Sequence, residues 1–259
     1  MLCQIQEKIP NHPWKDKIHW FDCIDSTNTR AKEMVMAGAP HGTVLIADRQ
    51  TGGRGRMGRS FQSPGGVGVY MSVILRFRCP AEQLMHLTCA TAVAACDAVE
   101  SAVGIRPGIK WTNDLVCGSR KISGILTELL CVSDEVCAVV GVGINCCQQQ
   151  QDFLPEIQGF AGSLSMVTGK PVDRSWVAAE LICAMSRMDL NEKTTMMNRY
   201  RKDCITIGKD VSLLRADEIS HGHALSVDDD GGLVVQFQDG QIQTVQSGEI
   251  SVRGMYGYV

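Results

Sequence analysis

The sequence predicts an α+β protein: a mixed, largely antiparallel sheet with helices packed on it, followed by a small β-barrel-like unit. Three observations carry this reading. Strand-period and helix-period segments are intermingled between residues 18 and 200 without strict alternation. Short alternating runs separated by Asp- and Gly-rich turns fill residues 209–252. A chain of 259 residues, 44% of them hydrophobic, can bury one large core and a small one, and the change of pattern places the boundary between 1–206 and 207–259.

The elements follow in order. Residues 1–17 read as an irregular lead-in, and 18–21 as the start of a strand. Ser26, Thr27 and Asn28 cap a helix over 31–37 that Gly38 and Pro40 close. The same hydroxyl, amide and backbone N–H groups could also hold a polar, uncharged ligand head. Residues 43–48 form a buried strand, and 67–77 a second one, with Val67, Val69, Met71, Val73, Leu75 and Phe77 on a single apolar face. Pro80 opens a helix over 81–103, ended by Gly104. Residues 108–115 and 120–130 make a hairpin-like pair. Residues 136–144 form a buried strand in which Gly141 and Gly143 signal the close approach of another backbone or a ligand. Residues 174–200 are helical in pattern, with Trp176, Val177, Leu181, Ile182 and Met185 toward the core. In the tail, Asp239–Gly240 signals a hairpin turn.

Between the first two buried strands lies the stretch on which the functional reading turns. Residues 50–60 hold four glycines and three arginines in eleven positions. Glycines let a ligand approach the main-chain N–H groups, and Arg54, Arg56 and Arg59 supply permanent charge in a fork suited to carboxylate and phosphate oxygens. A small anionic ligand, nucleic acid and a solvated loop are all compatible with that spacing. The strand–loop–strand setting matches neither a Walker A loop nor a dinucleotide fingerprint. A net charge of −3 and a pI near 6.1 argue against a protein that coats nucleic acid or anionic membrane, so the cationic cluster belongs to a site. No apolar leader opens the chain and no run of eighteen apolar residues occurs, so a cytoplasmic protein without membrane contact is expected. The twelve cysteines include no C-x-x-C pair and the six histidines no ligand spacing; most cysteines read as small buried hydrophobes rather than zinc ligands.

Four segments together resemble the biotin–protein ligase family, the biotin–[acetyl-CoA carboxylase] ligases: Asp25-Ser26-Thr27-Asn28; Gln50 to Arg59; Lys110-Trp111-x-Asn113-Asp114 with Arg120-Lys121-x-x-Gly124; and Gly141-Val142-Gly143-Ile144-Asn145. The resemblance spans nearly the whole chain. It implies a class II synthetase-like catalytic domain followed by an SH3-like domain, and a two-step reaction in which biotin and ATP give biotinyl-5′-adenylate, whose acyl group passes to a lysine of a biotin carboxyl carrier domain. It further implies that Ser26, Thr27, Asn28 and Gln50 hold the ureido ring, that Arg54, Gly55 and Arg56 fold over the ligand beside Gly124, and that Lys121 lies between the biotin carboxylate and the α-phosphate. Arg56 and Arg59 would stabilise phosphate charge, Trp111, Asn113 and Asn145 would serve ATP, and Asp114 would be the carboxylate linked to Mg²⁺. The arginine loop is expected to be mobile when empty and to close over the adenylate. About 25 residues precede Ser26, too few for the helix-turn-helix domain that many members carry, so DNA binding is not expected. Thr112 stands where members often have Pro, and residues 146–163 contain no Trp to stack on adenine, a role that Phe153 and Phe160 do not take from sequence alone. A monomer or homodimer is expected. A lipoate- or octanoyl-type acyl–protein ligase of the same fold, and a non-catalytic ligand- or RNA-binding module, are the alternative readings.

Overall fold

A computed structural model describes residues 1–215, 218–246 and 249–252; the rest of the 207–259 unit lies outside the described residues. The lead-in is not irregular. Its first part is helix α1 (Leu2–Lys8), which buries Ile5, and Ile9 and Trp14 continue into the core. Strand β1 (Ile18–Ile24) follows, then α2 (Thr27–Met36), whose N-cap Ser26 accepts from the Thr29 N–H.

Strands β2 (Thr43–Gln50) and β3 (Gly68–Phe77) flank the arginine loop. The long helix begins later than the Pro80 signal suggests, because a 3₁₀ turn at Ala81–Leu84 intervenes before α3 (Leu87–Val103). The expected two-stranded unit is a three-stranded meander, β4 (Gly108–Lys110), β5 (Asp114–Cys117) and β6 (Arg120–Val132), and β7 (Glu135–Asn145) returns along β6. After a polar loop and the short α4 (Leu164–Thr168), the long helical pattern divides into α5 (Arg174–Ser186) and α6 (Lys193–Asp203). Between them the Asp189 side chain accepts from the Asn191 N–H, a local bond that competes with the helix.

The main sheet runs β1-β2-β3-β7-β6-β5-β4, with β1–β2 the single parallel pair among the described residues. One face, with Val44, Ile46, Val69, Met71, Val73, Leu75, Val140 and Val142, packs on α3 and α5. The other carries a smaller cluster, Leu45, Ile74 and Val139 against Ala31 and Val35 of α2. Strand β3 is therefore buried on both faces, and the alternation in its sequence marks only the side facing α3. Because α2 covers only part of its face, the remainder is free to line a site.

A second, five-stranded antiparallel sheet follows, ordered β11-β10-β9-β8-β12, from β8 (Asp210–Arg215), β9 (Glu218–Val227), β10 (Leu233–Phe237), β11 (Ile242–Val245) and β12 (Glu249–Val252). Gly240, at φ 84°, supports the turn between β10 and β11 as its sequence requires. Its core residues Val211, Leu213, Leu233 and Val235 join the α3 side of the main core. The 227–232 turn is tied down as well: Arg201 pairs with Asp229, Lys193 with Asp230, and the Trp111 indole N–H donates to the Gly231 carbonyl at 2.8 Å. Among the described residues no helix is long and apolar enough to cross a membrane.

Candidate functional site

A cavity of about 200 Å³ opens on the α2 face of the main sheet. At one end stands the N-terminus of α2. Ser26, Thr27 and Asn28 line the cavity there and are almost wholly buried. Gln50, at the end of β2, accepts from the Thr27 N–H at 2.8 Å and from its hydroxyl at 3.1 Å, while its amide donates to Ser63 at 2.8 Å.

Ser72, a residue the sequence did not single out, sits beneath them with no exposure. Its Oγ lies 2.6 Å from Asn28 Oδ1 and 2.7 Å from Thr27 Oγ1. An amide oxygen only accepts, so Ser72 donates to Asn28 and the Thr27 hydroxyl donates to Ser72 or Gln50. The Asn28 amide nitrogen donates in turn to Glu128 at 3.0 Å and to the Leu126 carbonyl at 3.3 Å. Asn28 is thus spent on the protein and shapes the end of the cavity.

The floor explains the glycines of β7. A Cβ at Gly141 would overlap the Asn28 amide oxygen, and one at Gly143 would stand 2.5 Å from the Phe61 ring. The close approach comes from two side chains, not from a second backbone. Gly124 faces the same ring, where a Cβ would meet it at 3.3 Å. Phe61 follows the arginine loop and stacks edge-on against Tyr70, their centroids 6.4 Å apart. Neither aromatic was legible as a site residue, although both follow glycine-rich turns.

The loop itself folds as a short hairpin over the cavity. Arg54 bridges Ser60, the Gly55 N–H donates to the Arg59 carbonyl at 2.7 Å, and the Phe61 N–H to the Gly53 carbonyl at 2.9 Å. Arg54, Gly55, Arg56 and Arg59 all line the cavity. Arg56 donates to Asn113 Oδ1 at 3.1 Å, and an Arg54 guanidinium nitrogen lies 3.2 Å from Glu128. Asn113 is braced by donating to the Ile125 carbonyl, whose own N–H donates back to the Asn113 carbonyl.

Lys121 and Asp114 occupy the wall formed by β5 and β6, with Lys121 Nζ 2.7 Å from Asp114 Oδ1. Trp111 and the buried Lys110 close the end toward the second sheet. Phe160 also lines the cavity, because the backbone of the 146–163 loop pairs with Lys121: the Lys121 N–H donates to the Phe160 carbonyl at 2.7 Å, and the Gly162 N–H to the Lys121 carbonyl at 2.9 Å. Phe153 is buried away from the cavity. Asn145 stands apart from the other expected residues. It is buried off the cavity wall, donating to the Gly162 carbonyl at 3.0 Å and accepting from Gln148 at 3.1 Å, so it anchors the loop that carries Phe160.

Among the described residues no three His, Cys, Asp or Glu side chains stand together where they could hold a metal ion. Five of the twelve cysteines are buried, four are partly covered, and Cys3, Cys23 and Cys131 are exposed. Burial pushes the Cys89 thiol up to about 12 and that of Cys117 to about 11, which keeps both protonated at neutral pH.

Comparisons with known proteins agree with this architecture. A sequence model of the biotin/lipoate A/B protein ligase family matches residues 20–145, and one of the biotin protein ligase C terminal domain matches residues 206–253. A bifunctional ligase/repressor BirA of Bacillus spizizenii is 36% identical over 236 residues, covering 89% of this chain and 72% of the relative. A biotin–[acetyl-CoA-carboxylase] ligase of Mycobacterium tuberculosis is 30% identical, with 87% and 85% covered. The solved biotin protein ligase of Aquifex aeolicus in complex with biotin and ATP superposes with a TM-score of 0.77 at 31% identity, covering 91% of this chain and 98% of that one.

Proposed function

The chain belongs to the biotin protein ligase family, and from that premise we propose that its cavity activates biotin with ATP and passes the biotinyl group to a lysine of a biotin carboxyl carrier domain. One observation carries the assignment of residues. The Ser26–Asn28 cap, Lys121 and the arginine loop border a single cavity.

In the first step the biotin carboxylate oxygen attacks the α-phosphorus, the bond to the β-phosphate breaks, and pyrophosphate leaves with that electron pair. Two anions must meet in line, and Lys121 supplies the positive charge that offsets their repulsion. Its present partner Asp114 holds the ammonium at the wall until the ligands arrive. Arg56 and Arg59 take up charge as pyrophosphate departs, and Arg54 and Gly55 cover the ligand. Thr27 and Gln50, with Ser26, form the hydroxyl–amide set that suits a ureido ring, whose carbonyl accepts and whose N–H groups donate. Asn28 and Ser72 fix that set in place.

Trp111 and Asn113 border the nucleotide end, while Asn145 serves it through the 146–163 loop. Mg²⁺ takes one or two carboxylates together with phosphate oxygens and water. Asp114 provides one carboxylate, which fits a nucleotide-borne ion and not a cage of protein ligands; when bound, the ion would neutralise phosphate charge. In the second step the neutral amine of the carrier lysine attacks the acyl carbon, an amide forms, and AMP leaves while the amine's proton passes to solvent.

ATP–pyrophosphate exchange should depend on biotin and not on lipoate, and mass spectrometry of a carrier domain incubated with biotin and ATP should show one biotinyl group on a lysine. Exchange driven by lipoate alone would move the protein to the lipoate branch of its family. Salt-sensitive RNA binding with no exchange would make it a binding module.

A further inference from the structure

Glu128 takes no part in the reaction as written and does not line the cavity, yet its carboxylate joins three elements that do the work. From β6, Oε2 accepts from the Asn28 amide at 3.0 Å, while Oε1 accepts from Lys32 of α2 at 3.0 Å and lies 3.2 Å from the Arg54 guanidinium in the loop. The side chain is 21% exposed. Burial raises its pKa, but hydrogen bonds from Asn28 and Lys32 and the charges of Lys32 and Arg54 together outweigh burial and hold it below the usual carboxylate range.

An acid that desolvation opposes and three separate donors retain links the pieces around it. One partner is the helix cap at the head end of the cavity. Another is the most exposed of the three, Arg54, whose side chain is 43% open to water. We propose that Glu128 is a positioning residue that latches the arginine loop to the head end, keeping Arg54 across the mouth while the adenylate waits for its acceptor. The proposal rests on the ligase reading and deepens it.

Without the carboxylate charge, Lys32 and Arg54 become neighbouring cations with nothing between them. The helix cannot retreat, so the loop does. Water then reaches the acyl–phosphate anhydride and cleaves it to biotin and AMP. Such loss is visible as AMP formation with no acceptor present.

The test uses the full chain and Glu128→Gln, which keeps the side-chain length and one carbonyl for Asn28 but removes the charge. Acceptor-free AMP formation should rise about fivefold, the scale of one partly exposed charge pair, whereas single-turnover transfer from preloaded adenylate to acceptor lysine should stay within about twofold. Arg54→Gln, which removes the same contact together with a group that covers the ligand, should leak at least as much, and adding Glu128→Gln to it should raise the leak no further, because the shared contact is already broken. Unchanged leakage in Glu128→Gln, or leakage that multiplies in the double variant, overturns the latch. Should Glu128→Gln fail to fold, Arg54→Gln set against Lys32→Gln decides: the latch requires leakage from the first only, and equal rates refute it. Wild-type protein without biotin-dependent pyrophosphate exchange would overturn the ligase reading and the latch together, so failure of the latch alone is distinguishable.

Discussion

At the Ser26–Asn28 end of the cavity Thr27 and Asn28 share a wholly buried partner, Ser72, whereas the arginine loop is held through Glu128 and Asn113, side chains that are partly open to solvent. The two ends face different physical demands. A buried donor or acceptor that loses its partner costs the full desolvation of the group left behind, so a buried network holds one arrangement. Exposed charge pairs are worth little each, so a segment held by them can open and close at modest cost. The neutral end of a ligand can therefore meet a prebuilt site, while its reactive, anionic end is covered by something that later lets an acceptor in.

The largest effect is expected where the two ends meet. Lys121→Ala should cut biotin-dependent pyrophosphate exchange by roughly two to three orders of magnitude while far-UV circular dichroism is retained, since preorganised charge at a transition state is worth that much. An exchange rate within about tenfold of wild type would remove Lys121 from the chemistry.

At the braced end, Gly141→Ala forces a Cβ into the Asn28 amide oxygen and should cost about 1–3 kcal/mol of stability in urea unfolding together with a higher KM for biotin. Arg56→Ala, at the open end, should speed loss of bound adenylate by about tenfold, the value of one charged hydrogen bond, and leave the melting temperature almost unchanged. If melting temperature fell in step with activity in Arg56→Ala, the loop would belong to the braced class and the contrast would fail. Ser72→Ala should do what Arg56→Ala does not: lose about 1 kcal/mol of stability and raise the biotin KM together, because Asn28 and Thr27 lose a shared partner.

The smallest effect concerns pH. Glu128 has its folded-state pKa depressed, so its contribution to stability is fully present above the ordinary carboxylate pKa and is lost as pH falls through the folded value. Acid unfolding followed by fluorescence should therefore begin at higher pH in wild type than in Glu128→Gln relative to each protein's neutral-pH stability. Parallel curves would show that the carboxylate carries no such linkage.

Much of this was readable from residue order. The capped helix, read over 31–37 and found over Thr27–Met36, the buried strands, the glycine–arginine loop and the Asp239–Gly240 turn are local patterns, set by backbone sterics, capping and side-chain period. Other elements were not readable. Burial of Ile5 stabilises a helix whose sequence carries no strong start signal, and the helical pattern over 174–200 hides the break made by Asp189. Ser72 and Glu128 look like ordinary strand residues until α2 packs on the sheet, because their shared partner Asn28 lies 44 and 100 positions away.

Asn145 shows the converse. It belongs to a recognisable motif, but its amide is turned to the 146–163 loop and away from the cavity. Local chemistry, the cationic loop and the polar helix cap, was therefore written in the sequence by itself, since each needs only neighbours a few residues apart. Which of those groups share a cavity, which glycines make room for Asn28 and Phe61, and which acid ties the loop to the cap were decided by the tertiary structure alone, because contacts of the sheet with a helix and a loop distant in sequence leave no period or spacing to read.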